Sequence, residues 1–138
     1  MTPRGAITLP VAGQDVRITG GPFDALPAGA AGLCLEPLAA RADEARWHLP
    51  IPDYGIPEPA ALRAVLLTML ATMRAAPDAA YHIGCKAGLG RTGLALGCLA
   101  RMAGIAGDPV AWVRAHYHPE AIETPAQEAF VRGFGART

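Results

Sequence analysis

The 138-residue chain contains no serine and no asparagine, and Lys86 is its only lysine. Neither sign of charge is in excess: Lys plus Arg number 12, and so do Asp plus Glu. That balance argues against a general nucleic-acid binder, which needs a basic surplus, and against an acidic disordered tail. Cysteine is scarce. Cys34, Cys85 and Cys98 are odd in number and form no CxxC pair, which argues against a zinc site, a thioredoxin-type motif or a disulfide framework. Long apolar runs are missing as well, since the longest uncharged helical stretch, between Arg63 and Arg74, falls well short of a membrane span. Pro10, Gln14 and Asp15 interrupt the N-terminal apolar stretch too early for a signal peptide. The expectation is a cytoplasmic, reduced, soluble protein with no membrane and no nucleic-acid partner. It should be a single domain over 1–138, since a chain of this length can bury roughly two-thirds of its unfolded surface.

The chain offers alternating strand and helix signals. Ile7–Leu9 and Val16–Thr19 are short β-like runs around Gly13-Gln14-Asp15 and predict a hairpin. Leu33-Cys34-Leu35 predicts a buried strand, Pro37–Arg46 a helix, and the proline-rich stretch Trp47–Pro57 a surface loop. Leu62, Val65, Leu66, Met69, Leu70 and Met73 recur at spacings of three and four, so Pro59–Ala76 predicts a helix with one apolar stripe. A strand follows at Tyr81–Gly84 and an apolar helix at Thr92–Ala103. Asp108-Pro109 and Thr124-Pro125 are cap-plus-proline starts of two further helices, the second with Gln127 placed for a capping box and Phe130, Val131 and Phe134 facing inward. The fold class is α/β: a three-layer sandwich with a central, largely parallel sheet flanked by helices.

The chemistry concentrates in His82-Ile83-Gly84-Cys85-Lys86-Ala87-Gly88-Leu89-Gly90-Arg91-Thr92-Gly93, which follows a strand and opens a helix. Such a turn aims backbone N–H groups and the positive end of a helix dipole into the loop, an anion site. Gly88 and Gly90 allow the backbone to curl with its amides inward. Cys85 begins the loop, where the dipole, Lys86 and Arg91 favour thiolate over thiol. Arg91 closes it with a planar fork that can grip two phosphoryl oxygens, and Thr92 brings a hydroxyl near the sulfur. From the chain's composition a bare C-x5-R pair arises by chance about one time in four, whereas adding Gly at 88, 90 and 93 and Thr at 92 lowers this to about two in 100,000.

This stretch resembles the C-x5-R signature of the cysteine-dependent protein tyrosine phosphatases, especially the dual-specificity type, whose pattern is H-C-x-x-G-x-x-R-[ST]-G. The match runs from the cysteine onward, and the wider resemblance covers about residues 31–134. It implies a metal-independent, cofactor-free phosphatase in which Cys85 takes the phosphoryl group as a cysteinyl phosphate. Residues Lys86, Ala87, Gly88, Leu89, Gly90 and Arg91 would cradle the phosphate, and Thr92 would help the thiolate leave. Pro52-Asp53-Tyr54-Gly55-Ile56-Pro57 looks like the general-acid loop, with Asp53 as the acid. Ala121–Gln127 resembles the segment carrying a water-positioning glutamine, matching Glu123 and Gln127. Cys34, on the neighbouring strand, matches the backdoor cysteine of some members and is a candidate redox partner of Cys85.

The implied partner is a phosphorylated protein or peptide, phosphotyrosine with room for phosphoserine or phosphothreonine. Leu89 stands where phosphoinositide enzymes tend to carry a second lysine, which leans away from lipids. One departure is plain: Gly84 replaces the histidine that precedes the nucleophile in the family, and His82 lies two positions earlier. Two other readings accompany the phosphatase: a catalytically weak phospho-binding module of the same fold, and a sulfurtransferase, against which Arg91-Thr92-Gly93 and Asp53 both speak.

Overall fold

The computed structural model describes residues 1–135. Strands β1 (Gly5–Val11) and β2 (Gln14–Pro22) form the hairpin, longer than its apolar runs and turning at Ala12-Gly13, both with positive φ. They are followed by β3 (Ala31–Cys34), β4 (Trp47–His48) and β5 (Tyr81–Cys85) in one five-stranded sheet of order β1-β2-β5-β3-β4. Only the β1–β2 pair is antiparallel. Helices α1 (Pro59–Ala75), α2 (Gly90–Met102), α3 (Pro109–His116) and α4 (Pro125–Gly133) complete the α/β architecture. No helix among the described residues is long and apolar enough to cross a membrane.

The two faces of the sheet are covered differently. The β2–β3 connection steps over β5 in one direction and the β4–α1–β5 connection steps back. Right-handed crossovers then place them on opposite faces. Leu33, Ile83 and Cys85 look toward the helices and join Leu66, Met69, Leu94 and Leu99 in the main core. Cys34, one residue out of phase, packs instead with Phe23 and Leu26 of the β2–β3 connection. Helix α2 is buried from Gly90 to Ala100, as an apolar central helix must be.

Two expectations are corrected. Pro37–Arg46 is not an α-helix; it holds one 3-10 turn, Ala42–Glu44. The Asp24 carboxylate accepts from the N–H groups of Ala40 and Arg41, and the Glu36 carboxylate accepts from that of Leu38, so side chains take donors a helix would need. Leu38, 88% exposed, gives no inward stripe. Trp47–Pro57, expected to be loop throughout, begins as an edge strand. After β4, Leu49 N–H donates to Cys34 O (3.0 Å) and Ile51 N–H to Leu35 O (3.1 Å). Pro50 and Pro52 alternate with these donors at positions where an edge strand asks for no N–H.

Candidate active site

Parallel strands present their C-terminal ends together, and the site is built there. Cys85 ends β5, Glu36 follows β3, and the extension of β4 delivers Ile51 and Asp53. The Cys85 sulfur is buried and accepts from Gly88 N–H (3.2 Å) and Thr92 Oγ1–H (3.1 Å), two bonds that suit a thiolate.

The loop's amides face inward because its carbonyls are held outward. In a planar trans peptide the C=O and the following N–H point in opposite directions. Ala87 O accepts from Arg4 Nε (2.7 Å), Gly88 O from Tyr117 Oη (2.5 Å), and Leu89 O from the N–H groups of Ile122 (3.1 Å) and Gly93 (2.9 Å). The N–H groups of Gly88, Leu89 and Gly90 are thereby turned toward the sulfur side, forming an anion nest. Gly88 sits at φ +84°, which needs glycine. Tyr117 reaches its carbonyl through a slot left by Gly5 and Gly20, paired across β1–β2, where a Cβ on either would come within 2.7 Å of the tyrosine. Burial, and then the nearby Cys85, push the Tyr117 phenol well above its ordinary pKa, so it remains a donor. Ile122, a β-branched residue at φ +64°, is held there by Arg114, which donates to the carbonyls of Ala121 (2.9 Å) and Ile122 (2.7 Å).

Arg91 is 2% exposed. Its Nη1 donates to Ile51 O (2.8 Å) and pairs with Glu36 (2.9 Å); its Nη2 pairs with Asp53 (3.2 Å). A guanidinium has five N–H groups. Its two hydrogen bonds, to Ile51 O and Asp53, use one N–H on each terminal nitrogen, and Nε–H has no partner among the described residues, so the guanidinium keeps donors for phosphate oxygens. Asp53 is half-exposed, at the first corner of a turn closed by Gly55 N–H to Pro52 O (2.8 Å), with Tyr54 at φ +59° behind it.

Gln127 is fully buried and completes the capping box with Thr124. Its Oε1 accepts from Glu123 N–H (2.8 Å), and its amide nitrogen donates to Gly55 O (3.2 Å), tying α4 to the turn that carries Asp53. The Glu123 carboxylate lies against Gly90 at the start of α2, where the helix dipole favours negative charge. Lys86 and Ala87 are exposed at the mouth.

The structure places Cys34 beside Gly84 in register, on the face opposite Cys85, with its thiol donating to Glu36 O (3.3 Å). Cβ vectors that point apart cannot be bridged without backbone movement, so the Cys34–Cys85 pairing is not preformed. Gly84 has its own reason: a Cβ there would run into the backbone of Phe23 and Gly21. His82 is fully buried; its Nε2–H donates to Pro22 O (3.0 Å) and its Nδ1 accepts from Thr19 Oγ1 (2.8 Å). It shapes the end of β2 and does not touch the sulfur. The residues missing from the sequence reading are Glu36, Tyr117 and Arg4. Only Glu36 carried a signal, as the carboxylate immediately after a strand whose C-terminal end faces the site.

No model of a known protein family matches the sequence. Among curated proteins it is similar to an uncharacterized protein of Methanocaldococcus jannaschii, 34% identical over 84 residues, which are 61% of this chain and 51% of that one. The chain thus spans about half the length of the curated relative it matches. Among solved structures, it is similar to Tk-PTP in its active form, with a TM-score of 0.72 and 21% identity over 95% of this chain and 97% of that one. It is also similar to kinase associated phosphatase carrying serine in place of its catalytic-site cysteine, with a TM-score of 0.67 and 17% identity over 97% and 95%. The fold is that of the cysteine-dependent tyrosine and dual-specificity phosphatases.

Proposed function

We propose that this chain is a cysteine-based, metal-independent phosphatase acting on phosphorylated proteins or peptides, on phosphotyrosine and also on phosphoserine and phosphothreonine. The observation that carries the reading is the nest itself: Cys85 at its floor, inward amides above it, and Arg91 beside it with its Nε–H unpartnered among the described residues. In the first step the Cys85 thiolate attacks phosphorus, the ester P–O bond breaks, and protonated Asp53 gives its proton to the leaving oxygen. In the second, Asp53 takes a proton from a water that attacks phosphorus, and the P–S bond breaks. Thr92 Oγ1–H, already on the sulfur, stabilises the departing thiolate, and inorganic phosphate leaves. Gln127 and Glu123 are proposed to place that water. Three free cysteines suit a reducing, cytoplasmic setting.

The test is hydrolysis of 4-nitrophenyl phosphate in EDTA. Cys85→Ser should abolish turnover while phosphate or vanadate still binds, because the amide nest is untouched. Asp53→Asn should slow esters with poor leaving groups strongly and activated phenols mildly. Phosphate binding without any turnover by the unmodified protein would instead favour the phospho-binding module.

A further inference from the structure

The site extends past the nucleophile. A cavity of about 410 Å³ lined by Cys85, Lys86 and Leu38 shares Met1 and Pro22 with a second, of about 430 Å³, lined also by Arg4 and His118. The two form one trough. Arg4 is held in it by two bonds: its backbone N–H donates to Gly20 O (2.8 Å) and its Nε to Ala87 O (2.7 Å). Both terminal nitrogens of its guanidinium lack a partner among the described residues. His118 accepts from Glu120 N–H at Nδ1 (3.0 Å), so the ring proton lies on Nε2, which is left as a donor.

The charge along the trough is uneven. At the Cys85 end the two lining carboxylates are already engaged, Asp24 by the N–H groups of Ala40 and Arg41 and Glu36 by Arg91 and Leu38. Among the described residues no carboxylate lines the Arg4 end. An arginine held through Nε presents its two remaining nitrogens as a fork suited to carboxylate or phosphate oxygens.

We propose that Arg4 and His118 form a second oxyanion subsite, which selects phosphopeptides bearing a further acidic group, carboxylate or phosphate, near the phosphorylated residue. This rests on the phosphatase reading above and names the substrate class for it. The bond from Arg4 to Ala87 O makes one side chain serve both the subsite and the loop, so absolute rates mix two effects. The ratio of two substrates separates them, since loosening the loop slows both alike.

The experiment compares kcat/KM for phosphotyrosine peptides whose neighbouring positions are Gln, Glu or phosphothreonine, with wild type, Arg4→Gln and His118→Ala. The acidic-to-neutral ratio should be roughly tenfold in the wild type, the size of one charge-assisted contact at a partly wet site. It should fall toward one in Arg4→Gln, fall partway in His118→Ala, and shrink at 0.5 M salt, roughly three times above physiological ionic strength. The Glu and phosphothreonine series show which oxyanion is preferred. A ratio near one in the wild type, or one unchanged in Arg4→Gln, overturns the subsite. Binding of the same peptides to Cys85→Ser, read by calorimetry, gives the ratio without turnover. Absent hydrolysis with a preserved affinity ratio would then count against the phosphatase reading alone, and equal affinities would count against the subsite.

Discussion

Arg91 Nη1 lies 2.9 Å from Glu36 Oε1 in a pair almost closed to solvent. The Arg91 guanidinium is therefore aimed by a carboxylate that its sequence position did not single out. Breaking a buried pair by neutralising one partner costs about 3–5 kcal/mol, because the remaining charge is stranded. Glu36→Gln keeps the shape and some hydrogen bonding, so its cost should be lower, about 2 kcal/mol by the same principle. We expect a clear drop in melting temperature and a weaker inhibition by inorganic phosphate, read by thermal melts and competition against 4-nitrophenyl phosphate. Unchanged phosphate inhibition would show that Ile51 O and Asp53 suffice to aim the fork.

Tyr117→Phe removes the donor to Gly88 O and nothing else. Losing this bond should cost about 1 kcal/mol. The expected signature is a weaker affinity for phosphate and vanadate with a preserved far-ultraviolet spectrum, because the loop's peptide loses an outward tie while the ring still fills its glycine slot. A pure stability loss with unaltered anion binding would assign Tyr117 to packing.

Gly84→Ala should destabilise the fold severely, by roughly 3 kcal/mol or more, since overpacking here meets backbone rather than a movable side chain. Gly84→His, which would put a histidine where the phosphatases it resembles carry one, should fail to fold. Soluble expression and thermal melts decide this. A well-folded Gly84→His would mean that the β2–β3 connection can retreat from the sheet.

Burial holds the His82 pKa below its ordinary value. The unfolded chain therefore takes up the proton first as pH falls. The stability that neutral His82 contributes is present above its unfolded pKa of about 6.5 and is lost as pH drops through that value toward the folded one. Melting temperatures from pH 8 to 5 should decline more steeply for wild type than for His82→Gln. The carboxyls of Glu44, Asp108 and Glu128, held low by hydrogen bonds from Arg41, Arg132 and Arg114, titrate in a more acidic window and do not confuse the comparison. Parallel slopes would remove His82 from the acid response.

Cys34 and Cys85 look to opposite faces of the sheet, and burial raises the pKa values of the Cys34 and Cys98 thiols, keeping both protonated. Mild peroxide should therefore inactivate wild type and Cys34→Ser at the same rate, with equal rescue by dithiothreitol and no Cys34–Cys85 crosslink on peptide mapping. A crosslink in the oxidised wild type would show that the end of β5 can turn over.

The loop from Cys85 to Thr92, the turn around Asp53 and helices α1 to α4 were legible because each depends on local chemistry: glycine at a turn, proline after a cap, apolar residues every third or fourth position. The α/β layering was legible for the same reason. Tertiary structure decided what holds the loop open. Arg4 precedes β1, while Tyr117 and Ile122 lie in the α3–α4 connection more than a hundred residues later, and what they share is the direction of three carbonyls, which no spacing encodes. It also decided the fate of Pro37–Arg46, where the Asp24 and Glu36 carboxylates outbid the helix for backbone donors. Gly84 shows the same limit most simply: its missing side chain was visible in the sequence, but the Phe23 backbone that forbids one was not.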